Sequence, residues 1–472
     1  MKHLHYPLLL IASFLFFACA EEQQNQQTAQ LYLTTLDQNA LLKKQEISLN
    51  KEFETNSNPI EITLNPSETY QEMDGFGYTL TGGSALHIHN MSDTAREDLL
   101  QELFGRDKDQ LGVSYLRLSL GASDLDAEPF SYNDMPEGET DEALEHFSLS
   151  KDTLHLIPVL KEILAISPDL KILSSPWSPP VWMKDNGDTR GGSLQEQYYD
   201  AYARYCVKYI QAMQEKDIAI DAITVQNEPP HPGNNPSLLM EADAQADFVK
   251  NSLGPAFEEN NIDTEIIAFD HNWDTGLDYA NAVLGDEQAN EYTDGTAFHC
   301  YGGEPEAMTD VHEAYPNKNI YVTECSGGSW NTDFGENLSW NMTNMLIGGT
   351  RNYAESILFW NLALDPSDGP QNGGCPDCRG VVTIDPETGD VTENVEYYTL
   401  GHASKFVEPG AVRIDSTHYE DSIETVAFEN PDGSKVLIAA NLSADEEEFK
   451  VKEGDESFMY SLPSESAVTF TW

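Results

Sequence analysis

The chain has 472 residues, enough to bury a large core and to form more than one compact unit. Its 81 acidic residues against 25 basic ones give a net charge of −56, which excludes nucleic acid and anionic membrane surfaces as partners and suits a neutral ligand. The acidic residues are spread along the sequence and read as solvated surface.

The first nineteen residues have the order of an export signal. Lys2 supplies positive charge, Leu8 to Ala18 are almost wholly apolar, and Cys19 follows a small residue. The apolar run is too short to span a bilayer comfortably. It resembles a bacterial lipoprotein signal with Cys19 as the lipidated residue. Phe16-Phe17-Ala18 departs from the usual Leu-led box, and cleavage with release is the alternative. Either way the chain is expected to be exported, as a cell-surface or outer-membrane lipoprotein or else periplasmic or secreted. Any membrane contact is expected only through that anchor.

Residues 20–28 form a polar, Gln-rich tether. Leu31-Tyr32-Leu33 and Ile60-Glu61-Ile62-Thr63-Leu64 follow as strands, so residues 29–69 are expected to supply N-terminal strands to a β-module. The polar sequence between them reads as loosely ordered, and no helix is signalled before Met91.

Over residues 70–406 the pattern becomes strand, loop, helix, repeatedly. Phe76, Val113–Ser119, Leu170–Ser174, Ala222–Val225, Thr264–Phe269, Thr296–His299, Ile320–Thr323 and Ile357–Trp360 mark eight short strands. Ser193-Leu194-Gln195-Glu196 reads as a capping box. The helix after it aligns Tyr198, Ala201, Tyr202, Tyr205 and Tyr209 as a packing stripe. Eight alternating β/α units imply a closed (β/α)8 TIM barrel. A doubly wound open sheet is the alternative, but no phosphate-binding glycine fingerprint follows a strand.

Residues 407–472 change to closely spaced strands with a strong turn at Asn430-Pro431-Asp432-Gly433. This unit is thin to stand alone, and pairing with the N-terminal strands into one β-sandwich is expected. Discounting Cys19, five cysteines remain, and an odd count leaves at least one thiol free. Cys375 and Cys378 are spaced for a local disulfide, whereas zinc would need two further ligands that no second C-x-x-C supplies.

Two strands end in glutamate. Ala222-Ile223-Thr224-Val225 runs into Gln226-Asn227-Glu228 and is stopped by Pro229-Pro230, with Asn227 expected to hold Glu228. Ile320-Tyr321-Val322-Thr323 ends at Glu324 before Ser326-Gly327-Gly328. These are the fourth and seventh barrel strands, and barrel strand ends share one mouth. Two carboxylates converging there fit glycosidic bond cleavage, one as proton donor and the other as nucleophile or charge stabiliser. Trp177, Tyr301 and Trp360 offer faces to pyranose rings. Asp124, Asn227, His299 and Asn361 offer hydrogen bonds to hydroxyls, and Arg117 is expected to pair with Glu324.

Asp74-Gly75-Phe76-Gly77, Ser174-Ser175-Pro176-Trp177-Ser178-Pro179-Pro180, Gln226-Asn227-Glu228-Pro229 and Trp360-Asn361-Leu362-Ala363-Leu364 resemble glycoside hydrolase family 30. That family contains glucosylceramidases and endo-β-1,6-glucanases. The resemblance continues through Leu400-Gly401-His402 and Ser404-Lys405-Phe406. It implies a barrel with an attached sandwich, a retaining mechanism, Glu228 as acid/base and Glu324 as nucleophile. It places Arg117, Asp124, Trp177, Asn227, His299, Tyr301 and Trp360 around the glycone. No metal or organic cofactor is needed. The expected substrate is a β-glucan oligosaccharide or polysaccharide, with β-1,6-glucan ahead of glucosylceramide or another β-glucoside. A surface glycan-binding lipoprotein without catalysis is the reading from a different class.

Overall fold

The computed structural model describes residue 1 and residues 28–49, 59–107, 109–420 and 422–472. The signal, Cys19 and nearly all of the tether therefore lie outside the described residues.

Eight parallel strands close into a barrel. In chain order they are β4 (Gly75–Leu80), β5 (Tyr115–Leu120), β6 (Lys171–Pro176), β7 (Ala222–Thr224), β8 (Glu265–Asn272), β9 (Gly295–His299), β10 (Asn319–Glu324) and β11 (Ala354–Phe359). The ring closes where β11 pairs with β4, Ile357 opposite Phe76. Nearly every strand residue is buried, as expected for strands covered by helices outside and by side chains within. Tyr115, Leu173, Ala222, Ile267, Ala297, Tyr321 and Leu358 fill the lower interior. The barrel is thus plugged below and open for chemistry at the strands' C-terminal ends.

The chain termini build a second unit. β1 (Thr28–Thr35), β2 (Lys43–Ser48) and β3 (Ile60–Glu72) join β15 (Val412–Ser416), β16 (Ile423–Glu429), β17 (Lys435–Asn441), β18 (Glu447–Glu453), β19 (Glu456–Leu462) and β20 (Ser466–Thr471). These strands hydrogen-bond in the order β19-β18-β3-β15-β16-β17-β20-β1-β2. Phe449 and Phe458, near one edge, nevertheless pack on Phe470 of β20, with ring centroids 6.2 and 4.9 Å apart. The sheet therefore folds over on itself around an apolar core that includes Leu31, Leu33, Ile62 and Leu64. Between barrel and sandwich, β12 (Ala363–Leu364), β13 (Val382–Ile384) and β14 (Val391–Glu393) form a small sheet above the barrel mouth.

Four local expectations are corrected. A helix does precede Met91: Gly82–Asn90, whose N-terminus is capped by Thr81 accepting from the Ser84 N–H. Its glycine pair and short apolar stripe conceal it in the sequence. The stretch read as loose contains β2, a charged edge strand that exists by pairing with β1. Ser193 caps nothing; its N–H donates to Asp185, and the helix begins at Tyr199 after a single 3₁₀ turn. Asn227 does not hold Glu228, as described below. The tyrosine stripe does pack inward, with Tyr202, Tyr205 and Tyr209 fully buried.

Candidate active site

β7 is short, and the chain leaves it through Gln226, Asn227 and Glu228. Glu228 takes φ +45°, a left-handed conformation that costs a side-chain-bearing residue roughly 1 kcal/mol or more. Two backbone bonds hold it there: Glu228 N–H to the Asp270 carbonyl at 2.9 Å and His231 N–H to the Glu228 carbonyl at 2.8 Å. Its side chain is fixed by residues other than Asn227. Asn234 Nδ2 donates to Oε2 at 2.9 Å, and His299 Nδ1 lies 3.3 Å from Oε1. His271 Nδ1 stands 3.4 Å from the same oxygen without forming a well-aligned hydrogen bond.

Glu324 ends β10 and meets two donors. Arg117 Nη1 reaches Oε2 at 2.5 Å, and the Tyr301 hydroxyl donates to Oε1 at 2.9 Å. His299 Nδ1 is 3.9 Å from Oε1, so one ring nitrogen faces both carboxylates across a single gap.

Arg117 sits fully buried at the middle of β5. Its Nη2 bonds Asn227 Oδ1 at 2.7 Å and Asp270 Oδ2 at 2.8 Å, and its Nε bonds Ser175 Oγ at 3.1 Å. The guanidinium lies 4.9 Å from the Trp177 ring and 5.8 Å from that of Trp360. Those two indoles stack at 5.4 Å, and with Leu125, Leu364 and Cys378 they form an apolar wall.

Asp270 is the residue that the sequence did not announce. It accepts from Arg117, Ser175, Thr224 and Thr323, and its Oδ1 lies 3.0 Å from His299 Nε2. It can turn inward because β8 is irregular: Phe269 and Asp270 take φ of +71° and +79°, and the register with β9 shifts between Phe269 and His271. His271 and Asn234 were likewise not anticipated. Asn361 was expected to bind hydroxyls, but its oxygen accepts from Thr81 and Ser84 and its amide donates to Ala363. These bonds secure the mouth.

Burial alone would raise the Glu228 carboxyl, but the two imidazoles of His271 and His299 outweigh it and hold it well below its ordinary value. Burial would lower the His299 imidazole; the charges of Glu324 and Asp270 reverse that and bring it up to about 9. Asp270 is held low by Arg117 and His299 despite its burial. Asp124 is pushed up to about 7 by burial and by the charges of Glu324 and Glu228.

Asp124 lies beneath a loop closed by the Cys375–Cys378 disulfide. Cys375 N–H approaches its Oδ2 at 3.3 Å, and a Cβ at Gly374 would collide with that carboxylate. The same loop reaches the acid side of the cleft, since Asn235 Nδ2 donates to the Asn372 carbonyl at 3.0 Å. A second disulfide joins Cys300 to Cys325, the residues after His299 and Glu324, and Cys206 is a buried free thiol. The ligand atoms of Glu228, His271 and His299 lie within 4.8 Å of one another, a set able to hold a divalent ion.

Against known proteins, residues 73–407 match the glycosyl hydrolase family 30 TIM-barrel domain and residues 410–470 its β-sandwich domain. The chain belongs to glycosyl hydrolase family 30. Within the family, it is 35% identical over 396 residues to an endo-1,6-β-D-glucanase of Neurospora crassa, covering 80% of each chain. A solved structure of an endo-β1,6-glucanase superposes with a TM-score of 0.87 and 36% identity, over 94% of this chain and 99% of the other. SrfJ from Salmonella typhimurium superposes with a TM-score of 0.88 at 27% identity, over 94% of this chain and 99% of that one.

Proposed function

We propose that this protein is an exported retaining glycoside hydrolase that cleaves β-glucosidic bonds, with β-1,6-glucan as substrate. The observation that carries the chemistry is the Glu228–Glu324 pair, two carboxylates on separate strand ends facing one gap across His299. A binding protein has no need of a nucleophile fixed by Arg117 and Tyr301 opposite a second, hydrogen-bonded carboxylate. The substrate reading is supported by the endo-β-1,6-glucanase relatives and by a polar loop, Pro229 to Pro236, beside the acid.

Glu324 attacks the anomeric carbon as Glu228 protonates the departing oxygen, giving a covalent glycosyl ester and a free alcohol. Glu228 then removes a proton from water, which attacks the same carbon and restores the Glu324 carboxylate with net retention. Arg117 and Tyr301 orient the nucleophile. The Trp177–Trp360 wall offers apolar surface to the sugar, and Asp124, Asn227 and His299 offer polar atoms to its hydroxyls.

Export is supported by the N-terminal pattern and by two disulfides among the described residues, bonds that persist in oxidising compartments. Cys19→Ser should move the protein from the membrane fraction to the soluble fraction; unchanged partitioning rejects the anchor. The function is tested by product analysis on β-1,6-glucan, glucosylceramide and an aryl β-glucoside, with Glu324→Gln in parallel. Release of β-1,6-linked products that disappears in Glu324→Gln is expected. Activity undiminished in that variant overturns the mechanism, and binding without turnover on all three substrates points to a carbohydrate-binding protein.

A further inference from the structure

Among the described residues only a few large apolar side chains remain exposed, and two of them, Tyr301 and Trp330, follow the strands that carry His299 and Glu324. Tyr301 is accounted for by its bond to Glu324. Among the described residues Trp330 has no aromatic partner or side-chain hydrogen bond, and it is 55% exposed. An exposed indole on the loop just beyond a nucleophile presents a free aromatic face close to the strand end that carries the chemistry.

The loop beneath Trp330 is firmly built. Ser329 N–H donates to the Asp377 carbonyl at 2.8 Å, Arg379 N–H to the Gly327 carbonyl at 3.0 Å, and Gly328 forms a bridge with Cys378. Arg379 is itself fixed by Glu396 at 2.7 Å. Gly328 is required at its position, because a Cβ there would run into the Asp377 carbonyl as well as the Trp330 ring. The indole is therefore laid over the Gly328 backbone with the rest of its surface turned to solvent. Cys378, the loop's anchor, belongs to the Trp177–Trp360 wall of the cleft. Trp330 thus stands on a loop bonded to one edge of that wall, two residues beyond the Gly328–Cys378 bridge.

We propose that Trp330 is a stacking platform for a second sugar ring of a neutral glucan chain, outside the cleavage gap. An aromatic face suits the apolar face of a pyranose, and the strongly acidic surface disfavours an anionic polymer there. The inference rests on the glucan reading above and deepens it, since a platform outside the cleavage gap engages a chain and not a lone glucoside.

The test compares kcat/KM on soluble β-1,6-glucan with that on an aryl β-glucoside for the parent protein, Trp330→Ala, Trp330→Phe and Trp340→Ala. Trp340 is another exposed indole, on helix Phe334–Trp340. Trp330→Ala should lower the polymer-to-glucoside ratio about five- to tenfold, chiefly through KM, as loss of one stacking contact implies. Trp330→Phe should recover most of that loss, and Trp340→Ala should match the parent. An unchanged ratio in Trp330→Ala, or an equal fall in Trp340→Ala, overturns the platform while leaving the glucanase reading intact. A parent that does not cleave β-1,6-glucan overturns that reading and the platform with it.

Discussion

His299 stands between Glu228 and Asp270, 3.3 Å from the first carboxylate and 3.0 Å from the second. Because Glu228 is drawn low and His299 is raised to about 9, the Glu228–His299 pair keeps one proton between those limits, and catalysis draws on the form with that proton on Glu228. The alkaline limb of kcat/KM should therefore fall near the loss of that shared proton, at about pH 9. In His299→Gln only His271 remains beside the Glu228 carboxyl, and the limb should move to lower pH. A pH profile on an aryl β-glucoside decides the matter. A limb near 7 that survives in His299→Gln but vanishes in Asp124→Asn would instead assign it to Asp124.

Arg117 neutralises two acids at once, and all three side chains are nearly or wholly inaccessible to water. Its removal in Arg117→Ala leaves buried carboxylates without their counter-charge, at a cost of about 3–5 kcal/mol. The melting temperature should fall by several degrees and activity should be lost. Arg117→Lys keeps the charge but cannot reach Glu324, Asn227, Asp270 and Ser175 together, so it should regain stability more than turnover. Equal recovery of both would show that charge alone is what Arg117 supplies.

The barrel and its two glutamates were legible because each carries a local mark: a β-branched run cut short by prolines or glycines. Asp270 was not, since the reading stopped β8 at Phe269. What brings the next side chain into the site is a pair of left-handed residues and a register shift that no propensity signals. The edge strand β2 was missed for a related reason. Its sequence, Lys-Lys-Gln-Glu-Ile-Ser, is polar and becomes a strand only through a distant partner. The Cys300–Cys325 bridge did leave a trace, because both cysteines directly follow the ends of neighbouring barrel strands.

The roles of the two glutamates separate with a small anionic nucleophile. Glu228→Ala lacks the acid for departure and the base for water, yet an activated aryl glucoside needs little acid and azide needs no base. Azide should thus restore turnover of that substrate and yield a β-glucosyl azide. Azide should give no such product with Glu324→Ala, because no covalent sugar forms for it to intercept. A β-glucosyl azide from Glu324→Ala instead would reverse the assignment.

His402 ties the two units together, its ring nitrogens lying 2.9 Å from Thr469 Oγ1 of β20 and 2.9 Å from Thr34 Oγ1 of β1. Burial lowers this imidazole from 6.5 to about 3. The unfolded chain takes up a proton that the folded one refuses, so this contribution to stability is complete above about pH 6.5 and is lost as pH falls towards 3. The slope is at most about 1.4 kcal/mol per pH unit. Asp124 and Asp152, both raised to about 7, act in the opposite sense, which makes a difference measurement necessary. The melting-temperature advantage of the parent over His402→Gln should shrink between pH 6.5 and pH 4; a constant advantage would remove His402 from the acid response.

The two disulfides close loops of very different length and should answer to different measurements. Cys300 and Cys325 are 25 positions apart, Cys375 and Cys378 only 3. By loop-closure entropy the first contributes about 3 kcal/mol, whereas the second constrains little of the unfolded chain. The first also joins the residues after His299 and Glu324, and the Cys325 carbonyl accepts from the Trp360 N–H at 2.8 Å. Cys300→Ser with Cys325→Ser should therefore lower both melting temperature and kcat. Cys375→Ser with Cys378→Ser should barely change the melting temperature. It should raise KM instead, because the loop it closes carries the Cys375 N–H on Asp124 and the Cys378 side chain on the Trp177–Trp360 wall. Calorimetry beside steady-state kinetics on both double variants separates the two effects, and a large stability loss from the short bridge would contradict the entropic assignment.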